Sequence, residues 1–225
     1  MYCRERARAP GAGQRLERVH TTARVAWAAP RRYVCAMDAP ARKWTRVEYE
    51  RLAASEVLGP EDRVELVGGA MLCKEPQDSL HAAAILLAHR ILSNAFGPAW
   101  LVRVQMPVAL DDESEPEPDL TVVPGAPRDY RDAHPTRPVL IVDVARSHLA
   151  FDRDHKGSLY ARAGVGEYWI VNLLDRRLEV FCDPVRDAAA AFGWRYGAAL
   201  ALGPHDHVAP LAATTASIAV ADLLP

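Results

Sequence analysis

The chain has 225 residues, half of them hydrophobic and a quarter charged, enough for one domain with a proper core and an appendage. Its net charge of −2 is uneven: residues 1–36 carry +6, so the remainder carries −8, and such an acidic body argues against tight non-specific nucleic-acid binding. No apolar run approaches the ~18 residues of a membrane span, and four cysteines without CxxC spacing read as reduced, cytoplasmic thiols, not as zinc ligands or a disulfide framework.

Residues 1–40 are rich in proline, glycine, alanine and arginine and lack periodicity. They read as a disordered basic extension, the alternatives being a basic arm that touches nucleic acid or a reading frame that truly starts at Met37. The arginines leave no continuous apolar h-region for a secretory signal. The domain is expected over residues 41–225. Thr45 as N-cap and Glu48 at N3 fit a capping box, with a helix to about Ala54. Residues 62–67 and 70–73 read as a hairpin turned at Gly68-Gly69. Asp78 or Ser79 caps a second helix with Leu80, Ala84, Leu87, Ile91 and Ala95 at helical spacing, stopped by Gly97-Pro98. Residues 100–108 read as a strand. Six acids crowd residues 111–119, and the first five read as a solvated loop. Pro118 keeps Glu117 extended, so Asp119 enters at the start of a strand. Residues 124–138 form a loop. The run Val139 to Val144 is apolar and β-branched, as suits a strand covered on both faces. A helix is expected from Asp152 to Ala163, ending at Gly164. A second hairpin pairs residues 167–172 with 178–182 around Leu174-Asp175-Arg176. Residues 204–210 form a turn, and 211–225 add one short strand or helix. Helices interleaved with strands and hairpins give an α/β (α+β) domain around a mixed sheet. No GxGxxG, P-loop, HExxH or GxSxG pattern occurs.

Asp143 is the informative residue. An ionised carboxylate inside an apolar strand is costly unless it is paired or bound to metal. Asp119 opens the preceding strand, so the two acids form the best candidate pair for magnesium or manganese. The alternative has Asp119 capping a turn and Asp143 paired with a buried arginine. Lys156 is one of only three lysines and shares a helix face with Leu159, Tyr160 and Ala163. That face draws its amine toward the strand ends, where it could orient water and stabilise a phosphorane. The plainer reading is an i, i+4 ion pair with Asp152. Glu65 lies between Val64 and Leu66, and strand alternation leaves it either solvated or turned into the site. His81, in a first helical turn, has an ordinary structural alternative.

From about Trp44 to Pro225 the chain resembles the Uma-type family of restriction-endonuclease-like proteins, abundant in bacteria and part of the PD-(D/E)xK nuclease superfamily. The resemblance rests on Val64-Glu65-Leu66-Val67-Gly68-Gly69, Ser79-Leu80-His81, Glu117-Pro118-Asp119-Leu120, Val142-Asp143-Val144 and Asp152 to Lys156. Its most specific piece is Leu159-Tyr160-Ala161-Arg162-Ala163-Gly164-Val165-Gly166-Glu167-Tyr168-Trp169-Ile170-Val171. It implies a restriction-endonuclease-like mixed sheet flanked by helices and a magnesium- or manganese-dependent endonuclease acting on DNA. It further implies Asp119 and Asp143 as metal ligands, Glu65 as an added acid, Lys156 as the motif's lysine and His81 nearby. No membrane partner is implied, and a homodimer is left open. Aspartate stands at 143 where the family usually has glutamate, and Arg146-Ser147-His148 replaces the usual small polar run. A misplacement of about 1 Å can cost about 10²-fold in rate. The rival expectation is therefore a nuclease-fold protein of weak or no activity that serves as a binding or partner module.

Overall fold

The computed structural model describes residues 41–55, 57–59, 62–74 and 77–225, and the extension expected over 1–40 lies outside them. The first helix, α1 (Arg46–Ala53), starts at the expected box: the Thr45 hydroxyl accepts from Glu48 N–H, and the Glu48 carboxylate accepts from Thr45 N–H. Strands β1 (Val64–Val67) and β2 (Ala70–Cys73) pair antiparallel. Gly68 and Gly69 both have positive φ, 57° and 83°, which the tight hairpin turn requires. The acidic segment that follows is not a solvated loop. Glu115 exchanges backbone hydrogen bonds with Leu66 at 2.8 and 3.3 Å, and Ser114, Glu115 and Pro116 are buried. The free edge of β1 needed donors and acceptors, and this segment supplies them despite its charge.

Asp78 caps α2 (Ser79–Phe96) by accepting from His81 N–H at 2.9 Å. The buried stripe of α2 is Ala84, Ile85, Ala88, Leu92 and Phe96, displaced to one side of the expected one: Ala84 belongs to both, Ile91 and Ala95 pack half-buried at the core's edge, and Leu80 is 42% exposed. This helix is apolar on more than one side, so its sequence carries two adjacent stripes and the sheet selects one.

The central sheet runs β3 (Trp100–Val104), β4 (Leu120–Pro124), β5 (Leu140–Ala145), β6 (Glu167–Asn172), β7 (Arg177–Arg186) and β8 (Trp194–Leu202), side by side in that order. Only β5 and β6 are parallel; the other neighbours are antiparallel. Strand β3 stops short of the expected Val108, because Gln105 takes a φ of +50° and turns the chain out of the sheet. Strand β8 was not expected, since Gly197 to Leu202 has little polar–apolar alternation. The β5–β6 crossover is helical. It begins as a π turn, Phe151–Lys156, and continues as α3 (Gly157–Arg162). Inside the region 204–210 expected as a turn lies a short strand, β9 (His207–Val208), which pairs with β10 (Ile218–Ala219). The tail 211–225 supplies both candidate elements, β10 and then α4 (Val220–Leu223).

Each sheet face is covered, so β5 and β6 are buried throughout. One face packs Leu140, Val142, Trp169 and Val171 against α2 and α4. The opposite face packs Ile141, Ala145, Tyr168 and Ile170 with Leu159 and Tyr160 of α3 and Val67 of β1. Strand alternation puts Asp143 on this second face, beneath the crossover helix. Among the described residues no helix is long and apolar enough to cross a membrane.

Candidate acidic metal and catalytic site

Five segments bring the candidate residues together. Asp119 precedes β4, and Asp143 lies on β5 next to it. Asp119 Oδ2 accepts from Val144 N–H at 2.8 Å, and Asp119 N–H points to Asp143 Oδ1 at 3.4 Å. The π turn delivers Lys156, whose Nζ lies 3.4 Å from Glu65 Oε1 and 3.7 Å from Asp143 Oδ1. Hairpin β1–β2 delivers Glu65, which is buried, not solvated; its Oε2 accepts from Glu117 N–H at 2.9 Å. The first turn of α2 delivers His81, with Nε2 3.2 Å from Asp119 Oδ1. These side chains line a cleft of about 710 Å³ together with Asp78, Glu117 and Asp152.

The alternative partners expected for two of these residues do not form. Among the described residues Asp143 pairs with no arginine; its Oδ2 accepts from the Tyr168 hydroxyl at 2.9 Å and the Tyr160 hydroxyl at 3.4 Å. Lys156 makes its ion pairs with Glu65 and Asp143 instead of Asp152, because the π turn changes the spacing that an i, i+4 pair needs.

Charge is out of balance around Asp143. The fields of Glu65, Asp119, Asp143 and Asp152 converge on the Lys156 ammonium, and the His81 imidazole stands on Asp119. Lys74 and Arg146, which also line the cleft, are paired with Glu117 and Asp78. Burial pushes Asp152 up to about 7, with the fields of Asp143, Asp119 and Glu65 adding to it against Lys156. Burial also raises Asp143, aided by Asp119 and Glu65 and opposed by Lys156 and the Tyr168 hydrogen bond. Asp119 goes the other way: burial opposes its charge, but the His81 hydrogen bond and charge, Val144 N–H and Lys156 outweigh it. Burial alone would lower His81, and Asp119, Asp78 and Asp143 raise it instead. For Lys156, burial is outweighed by Asp143, Glu65, Asp152 and Asp119, so the amine is held charged. The two neighbouring aspartates are thus driven apart in proton affinity, a pattern common at functional sites.

Among the described residues no three His, Cys, Asp or Glu side chains close into a ready-made metal cage. The donor set nonetheless suits a hard divalent cation. It consists of carboxylate oxygens, and Asp119 Oδ1 and Asp143 Oδ1 hold only contacts of 3.2 to 3.7 Å. Added positive charge would also relieve the excess of buried acid.

Three contributors were not legible. Gln105 donates to Asp119 Oδ1 at 3.2 Å from its left-handed backbone position, and no local sequence signal marks that geometry. Tyr160 and Tyr168 read as core residues, although a buried tyrosine hydroxyl requires a partner and an acid in the next strand was available.

The fold and the acid–lysine cleft define an α+β protein of restriction-endonuclease-like architecture, a six-stranded mixed sheet flanked by helices. A family model, Uma2, described as "Putative restriction endonuclease", matches residues 46–196, and the chain belongs to that family. Its structure is similar to a crystal structure described as a "putative nuclease belonging to DUF820" from Anabaena variabilis ATCC 29413. The TM-score is 0.61 at 15% identity, covering 80% of this chain and 96% of the other, a likeness of fold. None of the curated proteins compared with the chain matches it.

Proposed function

We propose that the chain is a magnesium- or manganese-dependent endonuclease that hydrolyses phosphodiester bonds in DNA. Asp119, Asp143 and Glu65 are the metal ligands, Lys156 is the catalytic lysine and His81 is accessory. The observation that carries this reading is the convergence of Glu65, Asp119, Asp143 and Asp152 on one cleft, with the Lys156 ammonium paired to Glu65 and Asp143. A bound cation supplies Lewis-acid polarisation of the scissile phosphate and lowers the pKa of its water.

The chain's own residues do the rest. Val144 N–H and Gln105 fix the Asp119 carboxylate, and the two tyrosine hydroxyls fix Asp143. Lys156, held charged by its acidic neighbours, orients the attacking water and stabilises charge that develops on the phosphorane. His81 stands on Asp119 and can take or return a proton at Nε2.

One observation favours the rival binding-module reading. Asp143 is one methylene shorter than the family's usual glutamate, and one of its oxygens is already taken by tyrosine hydroxyls. A cleavage assay separates the two. Supercoiled DNA should be nicked by the native chain with Mn²⁺ or Mg²⁺, and Asp143→Glu should preserve or raise the rate. Lys156→Ala should lower kcat by about 10²-fold or more while the chain still folds. If the native chain and Asp143→Glu both leave DNA uncut with either metal, the binding module is the better account.

A further inference from the structure

Asp143, Ile170 and Glu179 form one row across β5, β6 and β7, each the register partner of the next. Register partners share a sheet face, so both acids lie on the face that the crossover helix covers, roughly 10 Å apart. The π turn meets this row at both ends. Lys156 Nζ lies 3.7 Å from Asp143 Oδ1. Arg153, three residues earlier, forks onto Glu179, with Nε 2.7 Å from Oε2 and Nη2 2.6 Å from Oε1. Glu179 is fixed in turn, because its Oε1 accepts from Asn172 Nδ2 at 2.8 Å and Arg177 Nε at 3.1 Å.

The helix needs such a tie. In the π turn, Gly157 N–H reaches back five residues to the Asp152 carbonyl, a bond pattern that is rarely sustained. Relaxation to ordinary α spacing would swing Lys156 by about 100° around the axis. The residue at the N-cap of the turn, Ala150, makes no side-chain cap bond. A bidentate arginine–carboxylate fork fixes direction as well as distance, which a lysine pair does not.

We propose that Arg153 and Glu179 are positioning residues for Lys156: their fork pins the π turn to β7, and this keeps the ammonium between Glu65 and Asp143. The catalytic consequence rests on the nuclease reading; the placement of the amine does not. Two readouts on the full chain therefore keep the ideas apart. The first is competitive amine labelling, with Lys156, whose side chain is 12% exposed, compared with Lys43, at 63%, in the same sample. The second is the kcat and KM of DNA cleavage. Arg153→Leu is the main variant, because Glu179 keeps Asn172 and Arg177 and is not left unpaired.

In Arg153→Leu, Lys156 labelling relative to Lys43 should rise about fivefold or more as the turn opens. Arg153→Lys, which keeps the charge but loses the fork, should show a smaller rise. kcat should fall about tenfold or more with KM nearly unchanged. A native labelling ratio in Arg153→Leu overturns the proposal, and so does a raised ratio with unchanged kcat. If Arg153→Leu fails to fold, Arg153→Lys decides, and a native ratio there overturns it. If the native chain itself cuts no DNA, a raised ratio in Arg153→Leu still supports the pin, and only the nuclease reading falls.

Discussion

Asp152 lies beside Lys156 on the cleft and titrates in the physiological range. Burial and the neighbouring acids move it from an ordinary 3.8 up to about 7. Between those values the folded protein keeps a proton that the unfolded chain has released. Stability therefore falls as pH rises through this window. The raised His81 acts in the same direction, losing its contribution as pH climbs past its folded pKa. Glu179, lowered to about 2 mainly by its Arg153 and Asn172 hydrogen bonds against the cost of burial, acts in the opposite direction at much lower pH. In metal-free buffer, denaturant midpoints of the native chain should drop between about pH 5 and about pH 7, and Asp152→Asn should flatten that drop. An equal drop in the variant would assign the proton to another group. At this scale Asp143 was readable, because an acid inside an apolar β-branched run demands a partner. Its hydroxyl partners were not readable, since Tyr168 and Tyr160 reach it only through the tertiary fold.

The elements that the sequence marked best were those with local chemistry at their ends. The Thr45 box, the Gly68-Gly69 turn and Gly164 at φ +75° all stand where turn and cap rules put them. Failures came where tertiary context decided. The buried stripe of α2 depends on which side the sheet approaches. The strand-like pairing of Glu115 depends on the open edge of β1. The π turn depends on side chains from β7 and the cleft, and a helical periodicity of 3.6 does not announce it. That last difference matters most for the site, because Lys156 is positioned by the turn's register and not only by the face it shares with Leu159 and Tyr160.

For the whole molecule, interleaved strands and helices were enough to give an α+β domain around a mixed sheet, while the flanking helices were implied by the family resemblance. Residues 1–36 lack apolar periodicity in sequence, so removing them should shift the melting temperature by less than about 2 °C. A much larger fall would mean that this segment packs against the domain. The acidic body has a similar large-scale consequence: DNA affinity should depend on the divalent cation rather than on a basic face. The central claim is that the cation is held by Asp119 and Asp143. Calorimetric titration of the native chain and Asp119→Asn with Mn²⁺ tests it most directly. One saturable binding event is expected in the native chain, accompanied by a rise in melting temperature, with both lost in Asp119→Asn while the fold persists. An undiminished binding isotherm in the variant would contradict it and move the metal elsewhere.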